Sequence, residues 1–325
     1  MRQQCWLFIC LLVAASRIAF AEEVTKDQIL QTWLQRGKNV PALDAEVLEW
    51  ERCIRKQQVF LDEGNGIRIL VIEGAEVGIA VTVKADGNDK PSEVSEVYVR
   101  SGKVLLEQSR SRVDLSGQFA NSSGRTCVGK KVLLDDGMQN TSFQLFESGG
   151  NPFATQVPST GGKSEAPEVI VWQMLYRPEI SVFGGVLGEL SLIDEVREIG
   201  GHRSRCLEYI PEESGQNRMR FWFDETNDWQ LVEYEEFDLI DIVRRISVDY
   251  EIHDELGWAP VRWHEESFAA SGEPGQRVAR NTRTTKITSV TLPTEVSPER
   301  WKLEFPNRTV ININRFRQHM ILDVF

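Results

Sequence analysis

The sequence predicts an α+β protein built mostly from antiparallel β-strands. Between residues 203 and 292, apolar and polar residues alternate with a period of two, and turn residues interrupt this alternation at short intervals. The connections in this stretch are too short for crossover helices, which favours antiparallel pairing. One segment near the N-terminus instead has apolar residues at helical spacing. Together these observations predict a strand-rich sheet with an N-terminal helix.

The N-terminus has the pattern of a signal peptide. The apolar stretch from Cys5 to Ala15 is shorter than the roughly 20 residues that a membrane span needs. Ala19 and Ala21 supply the small residues that signal peptidase requires. We therefore expect residues 1–21 to be removed and residues 22–325 to form a single exported domain, in the periplasm or outside the cell. We do not expect an integral membrane protein.

The first predicted element of the mature chain is an amphipathic helix. Thr25 and Gln28 have the spacing of a capping box. Ile29 and Trp33 lie on one helical face, and Gly37 is predicted to end the helix.

After Pro41 the period changes to two, which predicts the first strand. Leu48 and Trp50 share one face of this strand, and Glu49 and Glu51 share the other. Further strands are predicted at 67–73, 77–84, 94–100, 103–109 and 130–134. Ser101 and Gly102 are predicted to form the turn between two of these strands.

The middle of the chain lacks a hydrophobic period. Residues 147–168 are interpreted as a connecting loop, with a mobile lid as the alternative. One short helix is predicted between residues 169 and 199. The β-meander then comprises predicted strands at 203–210, 218–224, 229–236, 240–252, 258–268 and 277–292.

Composition and motifs argue against several classes of function. The formal net charge of −12 has the wrong sign for a protein that neutralises nucleic-acid phosphates. Gly162 to Ser164 resembles the end of a phosphate-binding loop, but Val157 occupies the position of its first glycine. His264 and Glu265 begin a zinc-protease motif, but Phe268 replaces the second histidine. We therefore predict no catalytic residue, metal site or cofactor, and no enzymatic activity.

The order of elements resembles the bacterial outer-membrane lipoprotein carrier, LolA, and its exported relatives. The resemblance is strongest in four segments, namely 29–50, 200–208, 220–224 and 305–310. It implies a curved antiparallel sheet that forms an unclosed barrel. An N-terminal helix and short helical segments would cover its apolar concave face.

Such a face suits a hydrophobic ligand, because alternating aromatic side chains can line a concave pocket. The predicted binding residues are five aromatic side chains on period-two strands: Trp50, Phe221, Phe223, Tyr250 and Trp263. The functional hypothesis is a soluble binding or carrier protein for a lipid or a lipoprotein acyl chain. The alternative is a periplasmic interaction or sensing protein that fills its own core and binds a protein partner.

Overall fold

The computed structural model describes most of the chain after residue 23. The described ranges are 24–61, 68–72, 93–120, 126–147, 149, 151–159, 167–181, 183–211, 217–238, 241–270, 277–313 and 318–321. The predicted signal peptide, the strand predicted at 77–84 and the loop from Gly162 to Ser164 lie outside these ranges.

Two α-helices and sixteen strands are found in the described part of the chain. The helices are α1 (Lys26–Lys38) and α2 (Pro167–Tyr176). The strands before α2 are β1 (Ala42–Leu61), β2 (Arg68–Ile72), β3 (Glu93–Glu107), β4 (Arg110–Ala120), β5 (Thr126–Asp135), β6 (Gln139–Phe146) and β7 (Phe153–Pro158). Those after it are β8 (Ser191–Ile199), β9 (His202–Tyr209), β10 (Arg218–Asp224), β11 (Gln230–Asp238), β12 (Asp241–His253), β13 (Gly257–Ala270), β14 (Arg277–Thr291), β15 (Val310–Ile313) and β16 (Gln318–Ile321).

All of these strands belong to one unclosed sheet. Its order is β16-β15-β7-β6-β5-β4-β3-β1-β14-β13-β12-β11-β10-β9-β8, with β2 paired to β1 off this path. Neighbours are antiparallel except β15 and β7, which run parallel. Because β1 pairs with both β3 and β14, it joins the two halves of the chain in the centre of the sheet. The predicted fold class, an antiparallel sheet left open at its edges with helices on it, is confirmed.

The helix α1 follows its sequence signals closely. The Thr25 hydroxyl accepts a hydrogen bond from the Gln28 amide at 3.2 Å, which satisfies one of the free amides of the first turn. Ile29 and Trp33 are fully buried. The helix does not end at Gly37, as predicted, but continues to Lys38. Gly37 instead allows close contact with α2, since a Cβ at this position would lie 2.4 Å from the Tyr176 carbonyl oxygen.

The helix α2 is mostly apolar, and every side chain from Val169 to Tyr176 is buried, including the polar Gln173. Arg177, directly after it, donates hydrogen bonds to the carbonyl oxygens of Gly37 at 2.9 Å and Pro41 at 3.0 Å. These bonds hold the end of α2 against the end of α1 and the start of β1. Neither helix in the described ranges combines the length and apolarity needed to cross a membrane.

The core requires the sheet to curve around the helices. One hydrophobic cluster contains side chains from β4, from β9 and from the strands that lie between these two in the sheet. In the sheet order, β4 and β9 are eight strand intervals apart. In a flat sheet these strands would be roughly 38 Å apart, at about 4.8 Å per interval. The helix α1 is only roughly 20 Å long, at about 1.5 Å per residue. A single cluster packed on such short helices therefore needs a curved sheet.

The turn predicted at Ser101 and Gly102 is wrong. The strand β3 runs unbroken through both residues, and the chain turns at Gln108 and Ser109 instead. A Cβ at position 102 would lie 2.2 Å from the Asp114 carbonyl oxygen on β4. This glycine therefore allows two strands to approach closely, which a single sequence does not distinguish from a turn.

Candidate ligand-binding face

The candidate site is the face of the sheet that contacts α1 and α2, called the inner face below. Along the strands this face divides into two parts. The part beneath the helices, the apolar half, is carried by Leu43, Val47, Leu106, Leu207, Phe221, Phe223, Leu231, Tyr234, Ile246, Val248 and Trp263. The part further along the same strands is charged.

Aromatic side chains from helix and sheet interlock in the apolar half. The Trp33 ring of α1 lies 5.4 Å from the Phe221 ring and 5.2 Å from the Phe223 ring. Phe183, in the segment after α2, packs 5.5 Å from Phe221 and 5.2 Å from Tyr234. These separations lie in the favourable range for tilted and edge-to-face pairs.

A second aromatic contact holds α2 on the sheet. The Trp172 ring stands perpendicular to the Trp263 ring, with the centroids 5.1 Å apart. Between the helices, Trp33 donates its indole N–H to the Met174 carbonyl oxygen at 2.9 Å. In this structure the apolar half is thus filled by the side chains of its own covering segments.

The structure brings together four of the five predicted binding residues. Phe221, Phe223 and Trp263 are buried beneath the helices. Tyr250 lies at the margin of the same cluster and donates its hydroxyl to the Leu231 carbonyl oxygen at 2.8 Å. Trp50 is separate from them, because the strand alternation places it on the opposite, outer face of the sheet.

The surroundings of Trp50 are open to solvent. Its partner across the strand pair is Val99, which is 40% exposed. Two residues further on, Arg52 pairs with Val97, which is 56% exposed.

The charged part of the inner face, called the ionic half below, crosses five neighbouring strands. Its members are Arg100 on β3, Glu49 and Glu51 on β1, Arg283 on β14, Glu265 on β13 and Arg244 on β12. Three carboxylates thus face three guanidinium groups.

The contacts of the ionic half form a continuous chain of ion pairs. The Nε of Arg100 lies 3.0 Å from the Oε1 of Glu49, and the other end of the guanidinium pairs with Glu51. Arg283 lies 3.5 Å from Glu51 and 3.9 Å from Glu265. Arg244 closes the chain, with its Nη2 2.7 Å from Glu265.

Glu51 shows how this network acts on a buried acid. Burial by itself raises the pKa of the Glu51 carboxyl group. The charges of Arg283 and Arg100, with a 2.7 Å hydrogen bond from the Asn281 amide, outweigh burial, and the pKa is lowered below its ordinary value. The group therefore stays ionised in the folded protein.

Sequence reasoning missed the covering side chains and the ionic half. Trp33 was predicted only as part of a helical face, and Trp172 and Phe183 lie in a segment without a clear period. The signal for the ionic half was present in β1, where Glu49 and Glu51 continue the same face as Val47. The sequence places these acids on one face of the strand, but nothing local in it predicts that they are buried.

A groove opens at the edge of the apolar half. It has a volume of about 650 Å³ and lies between α1 and the turns that follow β10 and β12. Its walls include Leu34, Arg36, Gln230, Leu256 and Trp258. Leu34 and Leu256 also pack against the main hydrophobic cluster, so the groove is continuous with the apolar half.

The outer face behind the same strands is polar at its surface. The Arg197 guanidinium stacks 4.1 Å from the centroid of the buried Trp222 ring, whose indole N–H donates to Glu235 at 3.0 Å. Cys206 is buried beside Trp222, and burial raises the pKa of its thiol to about 12. This thiol is therefore protonated at neutral pH and is not poised as a nucleophile.

Within the described ranges no three His, Cys, Asp or Glu side chains are grouped to hold a metal ion.

Comparisons with known proteins give similar structures only. No protein-family model and no curated protein matches the sequence. The chain is similar to an outer-membrane lipoprotein-sorting protein domain from Vibrio parahaemolyticus, with 9% identity, 85% of this chain and 97% of that chain covered, and a TM-score of 0.44.

A LolA-superfamily protein from Nitrosomonas europaea shows 12% identity over 86% of this chain and 98% of that chain, with a TM-score of 0.41. A DUF1329-family protein from Desulfovibrio piger shows 9% identity over 85% and 95%, with a TM-score of 0.40. Likenesses at this level carry no argument about function. The open antiparallel sheet with helices packed on its inner face is the architecture that the sequence resemblance implied.

Proposed function

We propose that this chain is an exported binding protein that takes a hydrophobic chain between its inner face and the covering helices. The observation that carries this proposal is the apolar half itself. It is a continuous apolar surface, and within the described ranges its cover comprises α1, α2 and residues 183–190. Lipid or the acyl chain of a lipoprotein is the proposed cargo.

The cover is attached in a way that permits displacement. The strands are held to each other by long ladders of backbone hydrogen bonds. The middle of each helix contacts the sheet through rings such as Trp33 and Trp172, and hydrogen bonds from Arg36 and Arg177 attach the helices near their ends. Apolar contacts are non-directional, so an acyl chain can replace the contacts that a displaced side chain gives up. The sheet keeps its ladders while the cover moves.

The signal peptide predicted at residues 1–21 supports export, and the proposed site of action is the periplasm or the cell exterior. We propose that residues 22–325 act as one domain, and that binding, rather than catalysis, is its activity.

The proposal is tested by measuring how a fluorescent dye binds when one covering side chain is truncated. The neutral dye N-phenyl-1-naphthylamine fluoresces when it leaves water, and it should bind the wild-type protein. Phe183→Ala removes a side chain that competes for the surface between Phe221 and Tyr234. We expect this variant to bind the dye several-fold more tightly than the wild type.

The matched control is Phe143→Ala. Phe143 is as deeply buried as many core residues but belongs to a separate cluster with Val132, Ala154 and Ile311. Its truncation should leave dye binding unchanged. If both variants gain binding equally, the dye is filling engineered cavities, and the proposal fails.

The filled core favours a second candidate, a protein that recognises another protein and has no cargo. Trp33, Trp172 and Phe183 already occupy the apolar half. If neither the wild type nor Phe183→Ala binds the dye, this second candidate replaces the first.

A further inference from the structure

The groove beside α1 contains a cation, Arg36, that has no acidic partner among the described residues. Arg36 is half-buried, and its Nη2 donates to the Asp228 carbonyl oxygen at 2.9 Å. Among the described residues no carboxylate lies within ion-pair distance of its guanidinium group. By contrast, each buried arginine of the ionic half faces at least one carboxylate.

The environment of Arg36 increases the attraction of an anion. Burial lowers the pKa of this guanidinium group, and the phenols of Tyr250 and Tyr176 and the carboxylate of Asp228 act in the opposite direction. Arginine remains charged at neutral pH even with a lowered pKa. A partly desolvated positive charge is screened less than a charge in water, and an acid group that reaches it gains more.

Gln230 supplies a second polar group in the wall of the groove. Its side chain is 3% exposed, and its Oε1 has no hydrogen-bond partner in the described part of the chain. A buried amide oxygen without a partner costs free energy that a bound molecule could recover. The amide can accept from a ligand hydroxyl group or, when rotated, donate to an acid oxygen.

The remaining walls suit a hydrocarbon chain. Leu34, Leu256 and Trp258 line the same groove as Arg36, and Leu34 and Leu256 also pack against the main cluster. A volume of about 650 Å³ lies within the range of pockets that hold small ligands. A positive charge and apolar surface therefore line one groove, which is the combination that an amphiphile requires.

We propose that this groove binds the acid group of a single-chain amphiphile at Arg36 and Gln230, with its hydrocarbon chain directed along Leu34 and Leu256 towards the apolar half. This inference rests on the proposed function and specifies its cargo: a molecule with one acidic head group and one acyl chain. The positive charge then selects for the head group, while the apolar half holds the chain.

The test compares an acid with its uncharged ester. Dodecanoate and methyl dodecanoate have the same chain and differ in the charge of the head group. In displacement of N-phenyl-1-naphthylamine from the wild type, we expect dodecanoate to bind about tenfold more tightly than the ester, because its carboxylate makes a charge-assisted hydrogen bond.

Three variants locate this preference. Arg36→Gln should abolish the preference and leave the affinity for the ester within about twofold, since the apolar walls are retained. Arg36→Lys should keep part of the preference, because it keeps the charge. Lys26→Gln is the matched control, since Lys26 lies on the same helix and also donates to one backbone carbonyl, that of Gly188 at 2.9 Å. It should bind like the wild type.

The outcomes separate this inference from the proposed function. Equal affinity for acid and ester in a wild type that binds the dye overturns the head-group site and leaves the proposed function standing. Binding of neither dye nor ester overturns the proposed function. Displacement of dodecanoate by inorganic phosphate at equal concentration would show a site for small anions and overturn the amphiphile. A Lys26→Gln variant that loses the preference as fully as Arg36→Gln would show a general charge effect.

Discussion

The two halves of the inner face are built on the same strands but are stabilised in opposite ways. In the apolar half, Trp33 and Phe221 pack by surface burial, which has no preferred direction. In the ionic half, Arg100 and Glu49 are also buried, but each depends on a specific partner at a specific distance. Moving one ring changes the free energy only in proportion to the apolar contact area that is lost. Moving one charge leaves its partner buried without an opposite charge.

The difference indicates which half can open. A surface held by non-directional contacts can exchange one apolar occupant for another, as the proposed function requires. A chain of ion pairs across β3, β1, β14, β13 and β12 fixes the position of the strands relative to each other. Under the proposed function, ligand exchange takes place in the apolar half, and the ionic half keeps the sheet rigid.

The largest expected effect comes from a charge in the apolar half. Phe221 is completely buried between Trp33, Phe183 and Tyr234. Phe221→Asp loses this packing and buries an unpaired carboxylate, and we expect it to reduce the free energy of unfolding by more than about 5 kcal/mol. Urea denaturation measures the loss. The control Val99→Asp, on the exposed outer face, should change it by less than about 1 kcal/mol.

A Phe221→Asp variant that melts like the wild type would contradict this packing. It would mean that the apolar half already contains space and water at this position, and ligand entry would then need no displacement of the cover.

The next effect comes from removing one charge of the ionic half. Arg100→Met leaves Glu49 without its nearest cation and weakens the pairing of Glu51. We expect a loss of about 3–5 kcal/mol in the free energy of unfolding, the usual result of leaving a buried charge unpaired.

The double variant Arg100→Met, Glu49→Leu distinguishes charge from packing. Because it removes both partners of the 3.0 Å pair, it should recover most of the loss. If the double variant is as unstable as the single one, the arginine acts through its packing, and the contrast between the two halves is weaker than proposed.

The smallest expected effect is the pH dependence of the ionic half. The pKa of Glu51 is lowered in the folded protein relative to the unfolded chain. Its stabilisation is therefore fully present above the unfolded pKa of about 4.3 and is lost as the pH falls through the lower, folded pKa. Urea midpoints measured from pH 7 down to pH 3 should fall in the wild type and fall less steeply in Glu51→Gln.

The exposed Glu46 is the control for this measurement, since it lies on β1 and pairs with Lys103 at the surface. Glu46→Gln should follow the wild-type pH profile. Identical slopes for Glu51→Gln and the wild type would show that other acids account for the acid lability.

Local elements of this fold could be predicted because their signals lie within a few residues of one another. The Thr25 cap and the helical spacing of Ile29 and Trp33 predicted α1, and alternation with short turns predicted the meander from β9 to β14. Phe221 and Phe223 on β10 and Trp263 on β13 belong to one hydrophobic cluster, as their positions on alternating strands predicted, and their role in ligand binding stays a prediction.

The sequence by itself determined the alternation of β1, with Glu49 and Glu51 on one face and Trp50 on the other. Only the tertiary structure decided which of these faces is covered. A period of two defines two faces without saying which one meets the helices, and here the buried face is the acidic one. Arg100 and Arg283, which lie far from β1 in sequence, make that burial possible, because they arrive beside Glu49 and Glu51 only when β3 and β14 pair with β1.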